Sequence, residues 1–126
     1  MKIQQLDHLV LTVANITTSI AFYTRILGMK ETEFSNGRKA LQFGTYKINL
    51  HQTGNEFQPC AEKPTTGSED LCFIVETPIK EVLNILKLKN LSVESGPVER
   101  TGATGQLLSV YIRDPDNNLI ELSNRL

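Results

Sequence analysis

A chain of 126 residues, 40% of them apolar and 21% charged, can bury a sizeable core without covalent staples and is ordinary for a soluble globular fold. The net charge of −1 supplies neither the basic footprint of a nucleic-acid binder nor a charge excess suited to a membrane surface. Apolar runs are short and the opening MKIQQLDHL has no signal-peptide core, so a cytoplasmic protein is the expectation.

Residues Leu6 to Val13 alternate, with Leu9, Leu11 and Val13 on one face and His8, Val10 and Thr12 on the other, as a half-buried strand requires. Asn15 or Thr17 can cap the helix that follows, Ile20, Tyr23 and Leu27 give it helical spacing, and Gly28 ends it. Three short strands are predicted next, near Lys30–Phe34, Arg38–Gly44 and Lys47–Gln52, with hairpin turns at Ser35-Asn36-Gly37 and Gly44-Thr45. From Thr53 to Glu69 periodicity disappears, and a loop of that length is expected to serve function or to wrap a surface.

A strand is predicted again over Asp70 to Val75, in which Cys72 reads as a small buried hydrophobe; it forms no CxxC pair with Cys60. Thr77 can cap a second helix with Pro78 at its first position, and Ile79, Val82, Leu83 and Leu86 form its apolar stripe. A short strand near Leu91–Val93, an irregular ESGPVERTGATG and a strand over Leu107–Ile112 lead to the turn Asp114 to Asn118. The last strand, LIELS, sends Ile120 and Leu122 one way and Leu119, Glu121 and Ser123 the other, which places a carboxylate mid-strand among apolar residues. Burying it alone would be costly unless a cation or a donor satisfies it.

The pattern strand-helix-strand-strand-strand therefore occurs twice, an α+β arrangement of two βαβββ modules, about 3–52 and 70–124, joined by a connector over 53–69. Aligning the halves sets His8 against Asp70 and Asn49 against Glu121 on the non-core faces, with His51 and Ser123 further along. Imidazole and carboxylate groups converging there suit a divalent metal with positions left for substrate. Each residue also has a plainer role: His8 bonded to Asp7, His51 at a rim, Asp70 capping backbone, Glu121 paired with Arg113 or Arg38. Arg38 and Arg100 could grip an anionic substrate group, and Tyr111 and Ser109 project to the Glu121 side.

DHLVLTV, SIAFYTRILGM and RDPDNNLIELS resemble the vicinal oxygen chelate superfamily of glyoxalase I, fosfomycin-resistance proteins, extradiol dioxygenases and bleomycin-resistance proteins. KALQFG, NLH and GPVERTGA more narrowly resemble the small proteins called glyoxalase domain-containing protein 5. The resemblance implies open curled sheets forming a concave cavity, a homodimer, often with a site built from two subunits, and a small-molecule substrate. It implies a divalent metal (Zn, Ni, Mn, Fe or Co) and ligands at His8, Asn49, Asp70 and Glu121. Two of these depart from the catalytic pattern. Asparagine at position 49 stands where glyoxalase I has glutamate, and Asp70 where many members have histidine. The expected metal set is accordingly His8, Glu121, Asp70 and His51, with Glu121 also catalytic, and the expected substrate contacts are Arg100, Arg38, Tyr111 and Asn49. A lyase or isomerase reaction is the leading expectation; sequestration of a small molecule without chemistry, a fosfomycin-type transferase or hydrolase, and a dioxygenase are the alternatives.

Overall fold

The first alternating segment forms β1 (His8–Val13), followed by α1 (Ile16–Arg25), β2 (Lys30–Phe34), β3 (Arg38–Phe43) and β4 (Tyr46–Gln52). These belong to the first of two units, Met1–Gly67 and Ser68–Leu126, in the computed structural model, which describes residues 1–126. The second unit repeats the order with β5 (Asp70–Ile74), α2 (Ile79–Leu88), β6 (Ser95–Thr101), β7 (Gln106–Arg113) and β8 (Leu119–Arg125). The expected α+β architecture of two βαβββ modules is what the chain adopts. Neither helix is long and apolar enough to cross a membrane.

In unit 1 the sheet order is β1-β4-β3-β2, and only the β1–β4 pair is parallel. A parallel pair needs a long crossover, which α1 and the β2–β3 hairpin supply. Asn15 caps α1 by accepting the Thr18 N–H at 2.9 Å, and Gly28, at φ +68°, lets the Met29 N–H reach back to the Tyr23 carbonyl at 3.0 Å. The register pairs Leu9 with Ile48 and Leu11 with Leu50, so one sheet face is aliphatic, and Tyr23 of α1 is fully buried in this unit's core. Each such large apolar side chain contributes roughly 1.5–3 kcal/mol on burial.

Unit 2 has order β5-β8-β7-β6, again with one parallel pair, β5–β8. Val110 opposite Leu122 and Ile112 opposite Ile120 build its apolar face, and Ile79, Val82 and Leu86 are buried on α2. Thr77 does not cap that helix. Asn124 of β8 does so instead: its Oδ1 accepts the Ile79 N–H at 2.8 Å, and its Nδ2 donates to the Val75 and Thr77 carbonyls.

The strand expected near Leu91–Val93 is absent, and much of the supposedly irregular ESGPVERT is β6. Pro97 and Gly96 hide it from a pattern reading. An edge strand tolerates a residue with no N–H, and Gly96 sits where the register slips between Ser95 and Val98, a β-bulge. At φ +99° Gly96 runs so close to β7 that a Cβ would collide with the Ser109 carbonyl.

The turn before β8 is held by buried side chains. Asp114 Oδ1 accepts the N–H groups of Asp116 and Asn118, both at 2.9 Å, and Asp114 Oδ2 accepts from Asn118 Nδ2 at 2.8 Å. Asn118 Oδ1 in turn accepts the Glu69 N–H at 2.9 Å, while the Leu119 N–H donates to the Glu69 carbonyl. These bonds set β5 beside β8 with Cys72 opposite Glu121.

Candidate functional site

Each unit leaves one sheet face free of its helix, and the strand registers decide what stands there. In unit 1 Val10 lies opposite Asn49, so His8 is the diagonal neighbour of Asn49 on the same face. In unit 2 Cys72 lies opposite Glu121, so Asp70 is the diagonal neighbour of Glu121. The repeat aligned from sequence is thus reproduced pair by pair. Diagonal neighbours are roughly 7–8 Å apart, within reach of long side chains.

His8 is exposed and its Nδ1 bonds to Asp7 Oδ2 at 2.7 Å, which leaves Nε2 without a protein partner. An imidazole braced by a carboxylate on one nitrogen is the usual posture of a metal-ligating histidine. Deeper on the same face, Asn49 is 6% exposed and His51 2%. Asn49 Oδ1 and His51 Nδ1 are buried without a hydrogen-bond partner. His51 stands opposite Thr12, four residues along from the row of His8, about 13 Å at strand rise, so within this unit the two imidazoles are not co-ligands of one ion.

Arg38, the first residue of β3, stands beside His51 on this face. Its guanidinium carbon lies 5.2 Å from the ring centre of Phe34 and 4.3 Å from that of Phe57, and its Nη2 donates to His51 Nε2 at 3.4 Å. Because guanidinium only donates, that nitrogen accepts, and the His51 proton resides on Nδ1. Burial first, and the Arg38 charge second, hold His51 below its ordinary pKa, with Glu56 opposing. Lys47 stacks its ammonium 3.9 Å from the centre of Phe34. The segment after β4 closes over this face. Phe57 meets His51 edge-on at 5.6 Å, and Gln58, Pro59 and Cys60 help to wall a cavity of about 370 Å³. The long connector is therefore wall, as its length suggested.

In unit 2 a second cavity of about 400 Å³ is lined by Cys72, Arg100, Glu121 and Arg125, among others. Glu121 is half-buried, is in no ion pair with lysine or arginine, and accepts from Ser123 Oγ at 3.4 Å. Ser109 and Ser123, both fully buried, share a hydrogen bond at 2.7 Å, and the Cys72 thiol lies 3.4 Å from Ser123 Oγ. Tyr111 stands opposite Glu121 and accepts from Arg100 Nε at 3.0 Å. Burial raises the pKa of Tyr111, the Glu121 charge adds to the rise, and Arg100 opposes it. The arginine partners considered for Glu121 are engaged elsewhere: Arg113 grips Glu94 through two bonds at 2.9 and 3.0 Å, and Arg38 belongs to the unit 1 cavity.

Cys72 corrects the expectation of a buried hydrophobe. Strand alternation turns it toward Glu121, and it is exposed. Burial of its sulfur, then the Glu121 and Asp70 charges, raise its pKa against a lowering bond from Ser123. The reading from sequence also missed Lys47, Phe34 and Phe57. A Lys or Phe in a strand or an irregular loop carries no site signal until the fold brings Phe34 and Phe57 to Arg38 and Lys47 to Phe34.

Tested as metal donors, the expected residues fit in part. His8 is braced and Glu121 is not paired with a cation, but neither unit gathers three or more His, Cys, Asp or Glu side chains around a point. Asp70 is exposed on the Glu121 face, and Asn49 offers only an amide oxygen.

A profile of the Glyoxalase/Bleomycin resistance protein/Dioxygenase superfamily matches residues 5–122. Virulence protein STM3117 of Salmonella typhimurium is 56% identical over 123 residues, covering 98% of this chain and 85% of that protein. Its crystal structure matches with a TM-score of 0.98 at 55% identity over 100% of both chains. Glyoxalase domain-containing protein RDO1 of Mycosarcoma maydis is 52% identical over 124 residues, 98% of this chain and 70% of that protein. The fosfomycin resistance protein FosX of Listeria monocytogenes, complexed with Mn(II) and a sulfate ion, matches with a TM-score of 0.68 over 99% of this chain and 93% of that one; at 22% identity the likeness is of fold alone.

Proposed function

The chain belongs to the Glyoxalase/Bleomycin resistance protein/Dioxygenase superfamily, and from that premise we propose a glyoxalase-like enzyme with a divalent-metal site, acting on a small oxygenated molecule by a lyase or isomerase type of reaction. The observation that carries the reading is the braced posture of His8, with Nε2 left without a protein partner, together with a half-buried Glu121 that is in no ion pair with lysine or arginine. The donors belong to the set His8, His51, Asp70 and Glu121, and the ion to the first-row group Zn, Ni, Mn, Fe or Co. The Mn(II) complex of FosX is a precedent for a divalent ion on this fold. Once bound, such an ion would polarise a carbonyl or enol oxygen of the substrate.

The chain's own groups supply the rest. Glu121 is the base, a carboxylate whose hydrogen-bonding neighbours are hydroxyl and thiol groups. Tyr111, polarised by Arg100, orients a substrate oxygen beside it. Arg38 and Asn49 contribute binding contacts. The same reading has the protein working as a homodimer in the cytoplasm.

Elemental analysis of protein purified without chelator tests the metal directly. About one ion per chain is expected, falling away in His8→Ala and Glu121→Gln. Trace metal that does not change between wild type and these variants sinks the enzyme reading. A second reading, sequestration of a small molecule without chemistry, draws on the absence of a three-donor cluster in either unit and on the amide at position 49. Ligand binding that survives EDTA and the loss of His8 would favour it.

A further inference from the structure

The two cavities differ in charge. The unit 2 cavity is lined by one carboxylate, Glu121, as well as by Arg100 and Arg125, whereas the unit 1 cavity is lined by Arg38, Lys47 and two histidines and by no carboxylate. Elsewhere in unit 1 a cation on the sheet finds partners: Lys39 sits 3.4 and 3.3 Å from Glu31 and Glu33. Arg38 and Lys47 pair with no acidic side chain. Aromatic rings hold both in place, Phe34 and Phe57 near the Arg38 guanidinium and Phe34 under Lys47. Stacking fixes a guanidinium while leaving its in-plane N–H groups to bind. At 98% buried, His51 adds an Nδ1–H without a partner, a donor that is costly to leave unmet unless something accepts from it.

We propose that the unit 1 cavity binds the oxyanion of a small acid, a carboxylate, phosphate or phosphonate held between Arg38 and Lys47. Guanidinium engages two oxygens side by side, ammonium adds a second charge, and 370 Å³ suits a small molecule. The inference rests on the reading that this fold takes a small molecule, and it requires no metal.

The test uses protein stripped with EDTA and exchanged into low-salt buffer, titrated calorimetrically with inorganic phosphate and separately with lactate. Binding of either is expected to weaken about 10- to 100-fold in Arg38→Gln and in Lys47→Gln, the loss of one charge-assisted contact, and to be unchanged in Lys80→Gln on the exposed side of α2. Phosphate binding without lactate binding assigns a tetrahedral oxyanion, and the reverse assigns a carboxylate; either supports the proposal. The His51 ring resonances in wild-type protein give a readout that needs no variant, and they should move as the anion saturates. No binding of either anion, binding indifferent to Arg38 and Lys47, or binding lost only in Arg100→Gln overturns the proposal. Since metal content is measured on the untreated protein, failure here leaves the metal reading standing, and failure of the metal reading leaves this one.

Discussion

Asn118→Ala is the sharpest test of how β8 is placed. The amide is fully buried and does two jobs: Nδ2 donates to Asp114 Oδ2, and Oδ1 accepts from Glu69 N–H, at 2.8 and 2.9 Å. Removing it deletes one bond to a carboxylate, worth roughly 1.5–3 kcal/mol, and leaves a backbone N–H without that acceptor, a further 1–3 kcal/mol or so. A loss of about 3–5 kcal/mol follows, a large share of the roughly 5–15 kcal/mol that holds a typical domain folded. Denaturant unfolding followed by circular dichroism measures the total, and amide hydrogen exchange locates it, with protection expected to fall first at Leu119 and along β5. Asn118→Asp keeps an acceptor for Glu69 but sets one carboxylate against another. Its deficit should therefore exceed that of a lone lost bond near neutral pH and shrink as the introduced carboxyl is protonated toward pH ~4. A loss under about 1 kcal/mol for the alanine variant, with exchange unchanged at Leu119, would mean that water replaces the amide and that the turn does not hold the strand.

Two further outcomes follow from titrating groups. His51 has a folded pKa below its ordinary 6.5, from burial and then Arg38, so its contribution to stability is complete above about 6.5 and is lost as pH falls from there toward the folded value. Denaturation across pH 5–8 together with imidazole NMR checks this (~1.4 kcal/mol per unit of pKa difference); Arg38→Met should narrow the gap without closing it, and titration of wild-type His51 at or above 6.5 contradicts the assignment. In a Cys60→Ser background, Cys72 should be alkylated with a pH midpoint above the ordinary 9.0, since burial and then Glu121 favour the thiol. Glu121→Gln is expected to lower that midpoint, and an unchanged midpoint would show that the carboxylate does not face the sulfur.

Much of this architecture was legible because strands advertise phase. Leu9, Leu11 and Val13 against Ile48 and Leu50 read as one apolar face, and alternation alone puts His8 and Asn49, and likewise Asp70 and Glu121, on the opposite face of their sheets. What was not legible depends on register and on non-periodic chain. Whether His51 could join His8 turned on which residue of β1 it faces, and that is Thr12. Phe57 lies in a segment with no period, so its place over Arg38 is set by tertiary packing. β6 was hidden by the very residues, Gly96 and Pro97, that suit it to a sheet margin. Asn124 caps α2 from 45 residues away, beyond any local capping rule.

That margin bears on how the protein would behave when crowded or partly unfolded. A strand from another molecule adding to β6 would meet a missing donor at Pro97 and a broken register at Gly96, both of which discourage templating. The opposite margin of the same sheet, β5, has the sequence DLCFI without proline or bulge, and Ile74 is 47% exposed. Aggregation by strand addition in this unit is therefore channelled to one margin, the strand that carries Asp70 and Cys72.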